Sequence, residues 1–322
     1  MKQLNIGYLS TMYHTSHIIK ADGWIEKLMH ITPDWKLFPT GPAMVEAFAA
    51  STIDIGYIGL PPAMIGIEKG ISIKCIAGGH VEGTLMIAPK DFQSFDELHS
   101  IDHVLNQFKG KSLGTPTRGS IHDVIIRNLI GEKGEAIEVK NFNWADLIPE
   151  AIDSGEIAGA VGTPPLAVIS AQECGTKIVI PPYKLWPYNP SYGIVARKEL
   201  LSKKGLLEDL LLLHERACNL IREKPEEAAT IIAGEIKVVD SNFVIQVFRI
   251  SPKYCASLPK PYINSTMSFL PVLSKLGYIE KTLTEEEIFD LTTIQKIHPQ
   301  PDHYSNTRNL TIASKRSEIL DF

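Results

Sequence analysis

The stretch EAFAASTIDIGYIGLPPAMIGIEKG, residues 46–70, decides the fold, because a helical pattern, a short apolar strand and a second helix meet there around Gly-x-Pro-Pro. The stretch EAIDSGEIAGAVGTPPLAVISAQECG, residues 150–175, repeats that order about 103 residues later, with one residue of slippage. Any two α/β units share the order of helix, strand and helix, but a matched Gly-x-Pro-Pro is harder to obtain by chance. The sequence therefore predicts two similar α/β halves that present the same strand-end loop to one cleft.

Outside these two stretches the alternation of strand and helix continues. Residues 4–9 predict a strand and residues 17–29 a helix, and the pattern restarts after residue 109 with a well-patterned helix at residues 121–130. The last third is mostly helical, so its helices are expected to pack on sheets already formed, and the polar, turn-rich chain from His298 predicts a peripheral tail. The other predicted helices cover residues 43–50, 63–69, 144–154, 166–174, 206–221, 225–233, 241–248, 264–276 and 285–294, and the other predicted strands cover residues 53–58, 71–77, 84–88 and 157–161.

Length and charge narrow the class of protein. The chain has 322 residues, which fits two domains of about 150 residues each. It carries 32 Lys+Arg against 37 Asp+Glu and has no basic stripe, so no nucleic-acid partner is expected. Four widely spaced cysteines without zinc-site spacing are interpreted as buried small hydrophobes: Cys75, Cys174, Cys218 and Cys255.

Neither a membrane span nor an export leader is predicted. No run of about 18 apolar residues occurs, and the N-terminus enters a strand pattern almost directly. Two localisations stay open at this point. The protein works in the cytosol as the sequence stands, or outside the cytoplasm if a leader was removed.

Residues 51–70 resemble the solute-binding proteins of nitrate, sulfonate, taurine and bicarbonate transporters, and the related thiamine-pyrimidine-precursor proteins. The family's pattern around Asp-Ile-Gly, followed by Lys-Gly-x-x-x-Lys, is found at residues 53–59, Pro61 and residues 69–74. The turn at residues 110–115, with Gly119 and Ser120, is similar to the family's second-lobe turn that faces a phosphate or sulfonate. Residues 225–229 resemble its C-terminal region, and the likeness covers roughly residues 4–295.

The resemblance implies an α/β, type II periplasmic-binding-protein fold, with a mainly parallel, helix-flanked sheet in each lobe and a helical C-terminal region. The first lobe would comprise residues 1–88 and 194–322, and the second residues 89–193. The hinge would lie at the two crossovers, the points where the chain passes from one lobe to the other. The implied function is to bind a small anionic or aromatic solute in the inter-lobe cleft and deliver it to an ABC-transporter permease. We expect a monomer without a cofactor.

An enzyme on the same scaffold is the alternative. Thiamine-pyrimidine synthases, which use pyridoxal phosphate with Lys and His, resemble this fold, and so does the chorismate dehydratase of menaquinone synthesis. Lys20 and His14 invite the first comparison, but the Cys-rich stretch of that enzyme is missing and no context singles out a Schiff-base lysine. The absent leader favours the enzyme, whereas the density of motifs favours the binding protein, which is our prediction.

The turn before the helix at residues 121–130 is a candidate anion site. Free N–H groups and the positive end of the helix dipole favour an anion there, and Ser120 would add a hydroxyl donor. Arg118 would clamp an oxyanion with two hydrogen bonds. Two alternatives stay open, namely that Ser120 is only an N-cap and that Arg118 is a surface charge. The candidate residues are Thr117, Arg118, Gly119 and Ser120.

The first loop, residues 10–17, is rich in hydrogen-bonding groups and precedes a helix. Ser10, Thr11, Tyr13 and His14 are predicted to line the cleft, with Tyr13 and His14 as polar and stacking walls. Two histidines three residues apart, His14 and His17, are weak evidence for a metal site without a carboxylate cluster, so no metal site is expected.

Strand ends and crossovers supply the remaining candidates. His80 and Glu82, two apart on a strand, point the same way as a polar wall or a proton-transfer pair, although a surface-exposed pair is favoured. Trp186 and its neighbouring tyrosines would either stack on a planar ligand or staple the hinge. The candidate lining residues in this group are Tyr57, Gly59, Leu60, Gly83, Thr84, Thr163, Pro164, Tyr188 and Tyr192.

Overall fold

Two five-stranded sheets organise the chain in the computed structural model, which describes residues 3–131 and 136–304. The strands are β1 (Gln3–Leu9), β2 (Thr32–Phe38), β3 (Ile55–Ile58), β4 (Ile73–Val81), β5 (Leu85–Pro89), β6 (Lys111–Pro116), β7 (Ile137–Phe142), β8 (Gly159–Gly162), β9 (Thr176–Ile180) and β10 (Pro190–Arg197).

The two sheets have the same architecture. The first has the order β2-β1-β3-β10-β4 and the second the order β7-β6-β8-β5-β9. In each sheet four strands run in one direction, and one strand, β10 or β5, is antiparallel to both of its neighbours. The predicted fold class, two lobes built on mainly parallel sheets, is therefore confirmed.

Helices flank both sheets and dominate the chain after β10. At both Gly-x-Pro-Pro motifs a helix begins directly after a strand, with Pro in the first turn, where no N–H donor is needed. Within the described ranges, no helix is both long and apolar enough to cross a membrane. The helices are α1 (Ser16–Ala21), α2 (Trp24–Met29), α3 (Gly41–Ala49), α4 (Leu60–Glu68), α5 (Phe95–Leu98), α6 (Ile101–Asn106), α7 (Ile121–Ile130), α8 (Ile148–Asp153), α9 (Pro164–Glu173), α10 (Pro182–Leu185), α11 (Lys204–Glu223), α12 (Pro225–Ile236), α13 (Ser241–Ile250), α14 (Lys260–Met267), α15 (Phe269–Lys275), α16 (Glu285–Ile288) and α17 (Thr292–Ile297), with 3-10 turns at Ala145–Leu147 and Lys198–Ser202.

The chain changes sheets twice. It leaves the first sheet after β4, over residues 82–84, and returns to it at β10, after residues 181–189. Strand β5 already belongs to the second sheet. The lobe boundaries near residues 88 and 193 stay a prediction, and sheet membership changes a few residues before each of them.

Five strands were not predicted from the sequence: β6, β9, β10 and the two edge strands β2 and β7. No residue of β2 is buried, and in β7 only Ile137 is. An edge strand packs against a neighbour on one side only, so its apolar alternation is too weak to recognise from the sequence. The loops that follow these two edge strands were missed with them.

Three of the predicted helices form as pairs of shorter ones, including the helix predicted at residues 285–294, which is divided into α16 and α17. The helix predicted at residues 17–29 is divided into α1 and α2 at Gly23, whose φ of 58° is a left-handed conformation that interrupts a helix. The helix predicted at residues 264–276 is divided into α14 and α15 at Ser268. Helix α7 forms at residues 121–130, where it is predicted.

The segment after α17 is not a peripheral tail up to residue 304. His298 is 5% exposed and Tyr304 only 2%. The Tyr304 hydroxyl lies 2.5 Å from the carbonyl oxygen of Cys255 and 3.2 Å from that of Ser257, and the Gly79 N–H donates to it. The prediction is therefore wrong for residues 298–304, and the rest of the predicted tail lies outside the described residues.

Candidate ligand-binding cleft

Six loops that follow equivalent strands of the two sheets converge on one cleft. They follow β1, β2 and β3 in the first sheet and β6, β7 and β8 in the second, because parallel strands end at the same edge of a sheet. The cleft has a cavity volume of about 70 Å³. Its lining residues are Leu9, Ser10, Thr11, Tyr13, His14, Pro39, Thr40, Gly41, Gly59, Pro62, Pro116, Ser120, Ile121, His122, Trp144, Ala145, Asp146, Thr163 and Ser191.

The loop after β1 presents two buried polar atoms without partners. Among the described residues, neither His14 Nδ1 nor Thr11 Oγ1 has a hydrogen-bond partner. His14 is 1% exposed, and its ring lies 4.0 Å from that of Tyr192. Burial, together with the neighbouring histidines, lowers the pKa of His14 well below its usual value, so the imidazole is neutral. A neutral ring of this kind offers a ligand one hydrogen bond and no charge.

The opposite wall comes from the second sheet. His122 lies in the first turn of α7, and its Nδ1 is 3.0 Å from Thr84 Oγ1. Burial lowers the pKa of His122 to about 4, so this imidazole is also neutral at pH 7. Trp144, which precedes the 3-10 turn at Ala145–Leu147, is 44% exposed and offers an aromatic face.

One donor of the predicted anion site at the start of α7 is bound to the protein's own carboxylate. Asp123 is fully buried, and its Oδ2 accepts the Gly119 N–H at 2.9 Å. Ser120 Oγ accepts the Asp123 N–H at 3.3 Å, which is N-cap geometry. Arg118 is exposed, and its guanidinium lies 5.7 Å from the centre of the Tyr278 ring. The structure thus shows the two alternatives to anion binding, the cap and the surface charge.

Seven of the residues that the sequence predicts as ligand-binding line the cleft, and the other ten lie outside its lining. Gly83 packs against Ser191, and Tyr57 is fully buried. Thr117 donates to the Phe142 carbonyl oxygen at 3.3 Å, and Tyr188 donates to Asp302 at 3.2 Å. The lining residues that were predicted are Ser10, Thr11, Tyr13, His14, Gly59, Ser120 and Thr163, and those outside the lining are Tyr57, Leu60, Gly83, Thr84, Thr117, Arg118, Gly119, Pro164, Tyr188 and Tyr192.

Half of the lining residues that sequence reasoning missed lie after two of the missed strands, β2 and β7. Residues 39–41 follow β2, and residues 144–146 follow β7. Extending the internal repeat to these positions would have found both loops, since β2 and β7 occupy the same place in their sheets. His122 and Ser191 gave no local signal, because one continues a helix and the other begins a strand.

A larger open groove, of about 530 Å³, lies between α1–α2 and α12. Lys20 and Glu235 line it and form an ion pair with each other, and His17 Nδ1 lies 3.1 Å from the same carboxylate. Hydrogen bonds from His17 and Lys20 hold the pKa of Glu235 down to about 2. The charges of Lys20 and Glu235 therefore satisfy each other, and Lys20 lies outside the lining of the cleft.

The two crossovers are joined by a buried carboxylate. Glu82 and Tyr188 both have left-handed backbones, with φ of 62° and 60°. The Tyr188 N–H donates to Glu82 Oε1 at 3.0 Å, the Glu82 N–H donates to the Asn189 carbonyl oxygen, and Lys253 Nζ lies 2.6 Å from Glu82 Oε2. We call these groups the crossover clamp. Since Glu82 is 5% exposed and His80 is fully buried, the favoured interpretation of an exposed pair is wrong.

The aromatic residues near the return crossover pack against the protein. The Trp186 ring stacks on Phe269 with 3.9 Å between centroids and 6° between planes. The Tyr192 hydroxyl donates to Thr15 Oγ1 at 3.2 Å, and Tyr188 lies edge-on to Tyr304. In the structure these side chains staple the crossover region, the second of the two roles considered from the sequence.

Replacing Glu82 tests the crossover clamp. Glu82→Ala leaves the Tyr188 N–H without its acceptor and separates Lys253 from its partner, so we expect a loss of about 2–3 kcal/mol in the free energy of unfolding. Glu82→Gln keeps an acceptor for the N–H and should lose less than half of that. Urea unfolding gives both values. Glu199→Ala, at an exposed ion pair with Arg197, should cost under about 1 kcal/mol, and an equal loss in all three variants would contradict the clamp.

Together the paired sheets and the cleft between them define a two-lobed protein of the type II periplasmic-binding-protein fold. The family model of the NMT1-like family matches residues 1–234, so the chain belongs to the NMT1-like family. A candidate binding protein of Brucella abortus is 25% identical over 252 residues, which cover 74% of this chain and 73% of that protein.

Solved structures with the same fold extend over nearly the whole chain. The ligand-binding component of an ABC-type import system from Staphylococcus aureus, with zinc bound, has a TM-score of 0.76 at 15% identity, covering 93% of this chain and all of its own. The periplasmic aliphatic sulphonate binding protein SsuA from Escherichia coli has a TM-score of 0.75 at 15% identity, covering 90% and 92% of the two chains. The periplasmic nitrate-binding protein NrtA from Synechocystis PCC 6803 has a TM-score of 0.73 at 11% identity, covering 99% and 91%. At these identities the likeness establishes the fold.

Proposed function

We propose that this protein is the ligand-binding component of an ABC-type import system and holds a small solute in the cleft. The observation that carries the proposal is the convergence of six strand-end loops from two equivalent sheets on buried polar atoms that lack partners, His14 Nδ1 and Thr11 Oγ1. Such atoms are costly to bury unless a ligand satisfies them. The names of the Staphylococcus, E. coli and Synechocystis proteins support the same role.

Closure of two lobes on the ligand is the proposed mechanism. The lobes are residues 1–88 with 194–322, and residues 89–193, and they would rotate about the crossover clamp as the ligand makes contacts on both sides. The closed form is the one that a permease would recognise. Because both walls of the cleft come from one chain, we propose that the protein acts as a monomer, which size-exclusion chromatography with light scattering would test.

Of the two ligand classes that the sequence indicates, the cleft favours an aromatic solute over a strongly anionic one. Its described lining residues include no Lys or Arg but do include Asp146. Proline stands in the first turn of α3, α4 and α9, which removes N–H donors that an anion would use, and at α7 the Gly119 N–H is bound to Asp123. Trp144 and the imidazoles of His14 and His122 offer faces and single hydrogen bonds to an uncharged ring.

A ligand screen tests the function and the ligand class together. Thermal shift and calorimetry should show binding of small heteroaromatics such as pyrimidines, and weaker or no binding of nitrate, taurine and alkanesulfonates. Trp144→Ala and His14→Phe should each weaken the aromatic ligand about tenfold, because one loses a stacking face and the other loses only the ring nitrogens.

The control is Leu147→Ala, which removes another exposed apolar side chain of the same turn but one outside the lining. It should leave the affinity unchanged. Tight binding of nitrate or sulfonates without any aromatic would overturn the ligand class and keep the binding function. Turnover of a compound without stable binding of any would overturn the binding function itself.

A further inference from the structure

A cluster of metal-ligating side chains lies in the first lobe, outside the lining of the cleft. Cys255, His298 and His303 bring Sγ, Nε2 and Nδ1 to within 4.8 Å of one another. The Cys255 and His298 side chains are buried, and His303 is half-buried. Glu215, on α11, places its Oε1 3.7 Å from His298 Nε2 and 3.9 Å from His303 Nδ1. Three ligand-type atoms thus lie close together, and a carboxylate oxygen lies near two of them.

The separations match the edges of a tetrahedral coordination shell. With Zn–S bonds of about 2.3 Å and Zn–N bonds of about 2.0–2.1 Å, a tetrahedron has edges of about 3.3 Å between two nitrogens and about 3.6 Å between sulfur and nitrogen. Here the two ring nitrogens are 3.2 Å apart, and they lie 3.3 and 3.5 Å from the sulfur. One small cation therefore fits within bonding distance of all three atoms. Glu215 Oε1, at 3.7 and 3.9 Å from the two nitrogens, stands farther from them than the edge of such a tetrahedron and would have to move inward to become the fourth ligand.

The surrounding hydrogen bonds leave the inner atoms available. His298 Nδ1 lies 3.1 Å from the Gln300 carbonyl oxygen, so Nδ1 would keep its proton when a metal takes the place of any proton on Nε2. A histidine that donates its outer N–H to a backbone carbonyl is the usual support of a metal ligand. Glu215 Oε2 accepts the Ala256 N–H at 3.1 Å, which holds the carboxylate in place, whereas Oε1 accepts no hydrogen bond from the described residues.

We propose that this cluster is a zinc site, with Cys255, His298, His303 and Glu215 as its ligands. A thiolate, two imidazoles and a carboxylate suit Zn²⁺ better than Ca²⁺ or Mg²⁺, which prefer oxygen alone. Binding converts the thiol to a thiolate and releases its proton to solvent. Because the chain supplies four ligands, the ion is structural, and it joins the segment at residues 298–304 to α11 and to the loop that carries Cys255.

Most of the proposed zinc site lies outside the part of the chain that matches the family. Three of the four ligands lie after residue 234, where the NMT1-like match ends. The segment it secures is the one whose Tyr304 hydroxyl bonds to the Cys255 and Ser257 carbonyl oxygens. A bound ion would therefore reinforce a contact that the protein already makes. The metal-free alternative is a hydrogen-bond network among the same four side chains.

Metal titration of the full chain separates these alternatives. After treatment with chelator and reductant, the wild type should bind one Zn²⁺ per chain and show a higher Tm. Co²⁺ should give the visible absorption of a tetrahedral ion, together with a near-ultraviolet band from sulfur-to-cobalt charge transfer. Cys255→Ser should abolish that band and weaken Zn²⁺ binding at least 100-fold. His303→Ala should keep the band while also weakening Zn²⁺ at least 100-fold.

Cys174→Ser is the matched control, since Cys174 is a half-buried free thiol that contacts the Pro149 carbonyl oxygen and lies outside the cluster. It should bind zinc as the wild type does. His303 is the least buried of the three residues, so its variant carries the test if Cys255→Ser fails to fold. Wild type without stoichiometric zinc would show that the network binds no metal. An octahedral cobalt spectrum, or equal zinc affinity in wild type and His303→Ala, would show that any bound metal is not held by these four ligands, and either result would overturn the proposal.

Discussion

Replacing Gly78 with alanine should remove at least about 3 kcal/mol from the free energy of unfolding, which is a large share of the stability of a typical domain. A Cβ at this position of β4 would lie 2.1 Å from the Tyr304 hydroxyl oxygen and 2.4 Å from the Ser257 carbonyl oxygen. The second contact is with backbone, so no side-chain rotation relieves it. The Gly78 N–H also donates to the Ala256 carbonyl oxygen at 2.8 Å, which fixes the two segments against each other. Urea unfolding followed by circular dichroism measures the loss.

The same substitution at Gly205 is the control for Gly78→Ala. Gly205 lies near the start of α11, and a Cβ added there meets no atom within 4 Å. Alanine is the better helix former, so Gly205→Ala should be neutral or stabilise by up to about 1 kcal/mol. A loss below about 1 kcal/mol for Gly78→Ala would mean that β4 and residues 255–257 do not pack as closely as described.

The sequence predicted those parts of the fold that have a strong local pattern. Helix α7 formed at the residues expected, because its apolar positions recur at helical spacing and Ser120 caps it. The two Gly-x-Pro-Pro motifs placed β3 with α4, and β8 with α9, in equivalent positions. Local patterns of this kind indicate that the two halves are alike, whereas the order of the strands is seen only in the structure.

Features that depend on distant parts of the chain could not be predicted. His80 and Glu82 are buried because residues from the C-terminal region cover them, including Lys253 and Ser251. The proposed zinc ligands span residues 215–303, so their spacing resembles no motif and the sequence indicated no metal. The anion site stays a prediction, and Asp123, three residues after the Ser120 cap, weakens it: its Oδ2 accepts the Gly119 N–H, and its own N–H donates to Ser120 Oγ.

Lowering the pH should begin to destabilise the protein at pH values well above those at which carboxylates titrate. Burial lowers the pKa of His80 to about 3 and that of His122 to about 4, against about 6.5 for the unfolded chain. Between pH 6.5 and about 4 the unfolded chain binds protons that the folded protein does not, so stability falls as the pH falls. Each histidine contributes a slope of about 1.4 kcal/mol per pH unit in that window. His14, whose pKa burial also lowers, adds to it.

The pH range over which stability is lost identifies the buried histidines as the cause of the loss. Glu235, with a pKa held near 2 by His17 and Lys20, loses its contribution only as the pH falls from about 4.5 toward 2. Unfolding free energies between pH 4.5 and 6.5 therefore report mainly on buried imidazoles. In His122→Gln the slope there should fall by up to about 1.4 kcal/mol per pH unit, because glutamine takes up no proton. His103→Gln, at an exposed position of α6, should keep the wild-type slope. An unchanged slope in His122→Gln would show that His122 is protonated in the folded protein, and would remove the neutral imidazole from the wall of the cleft.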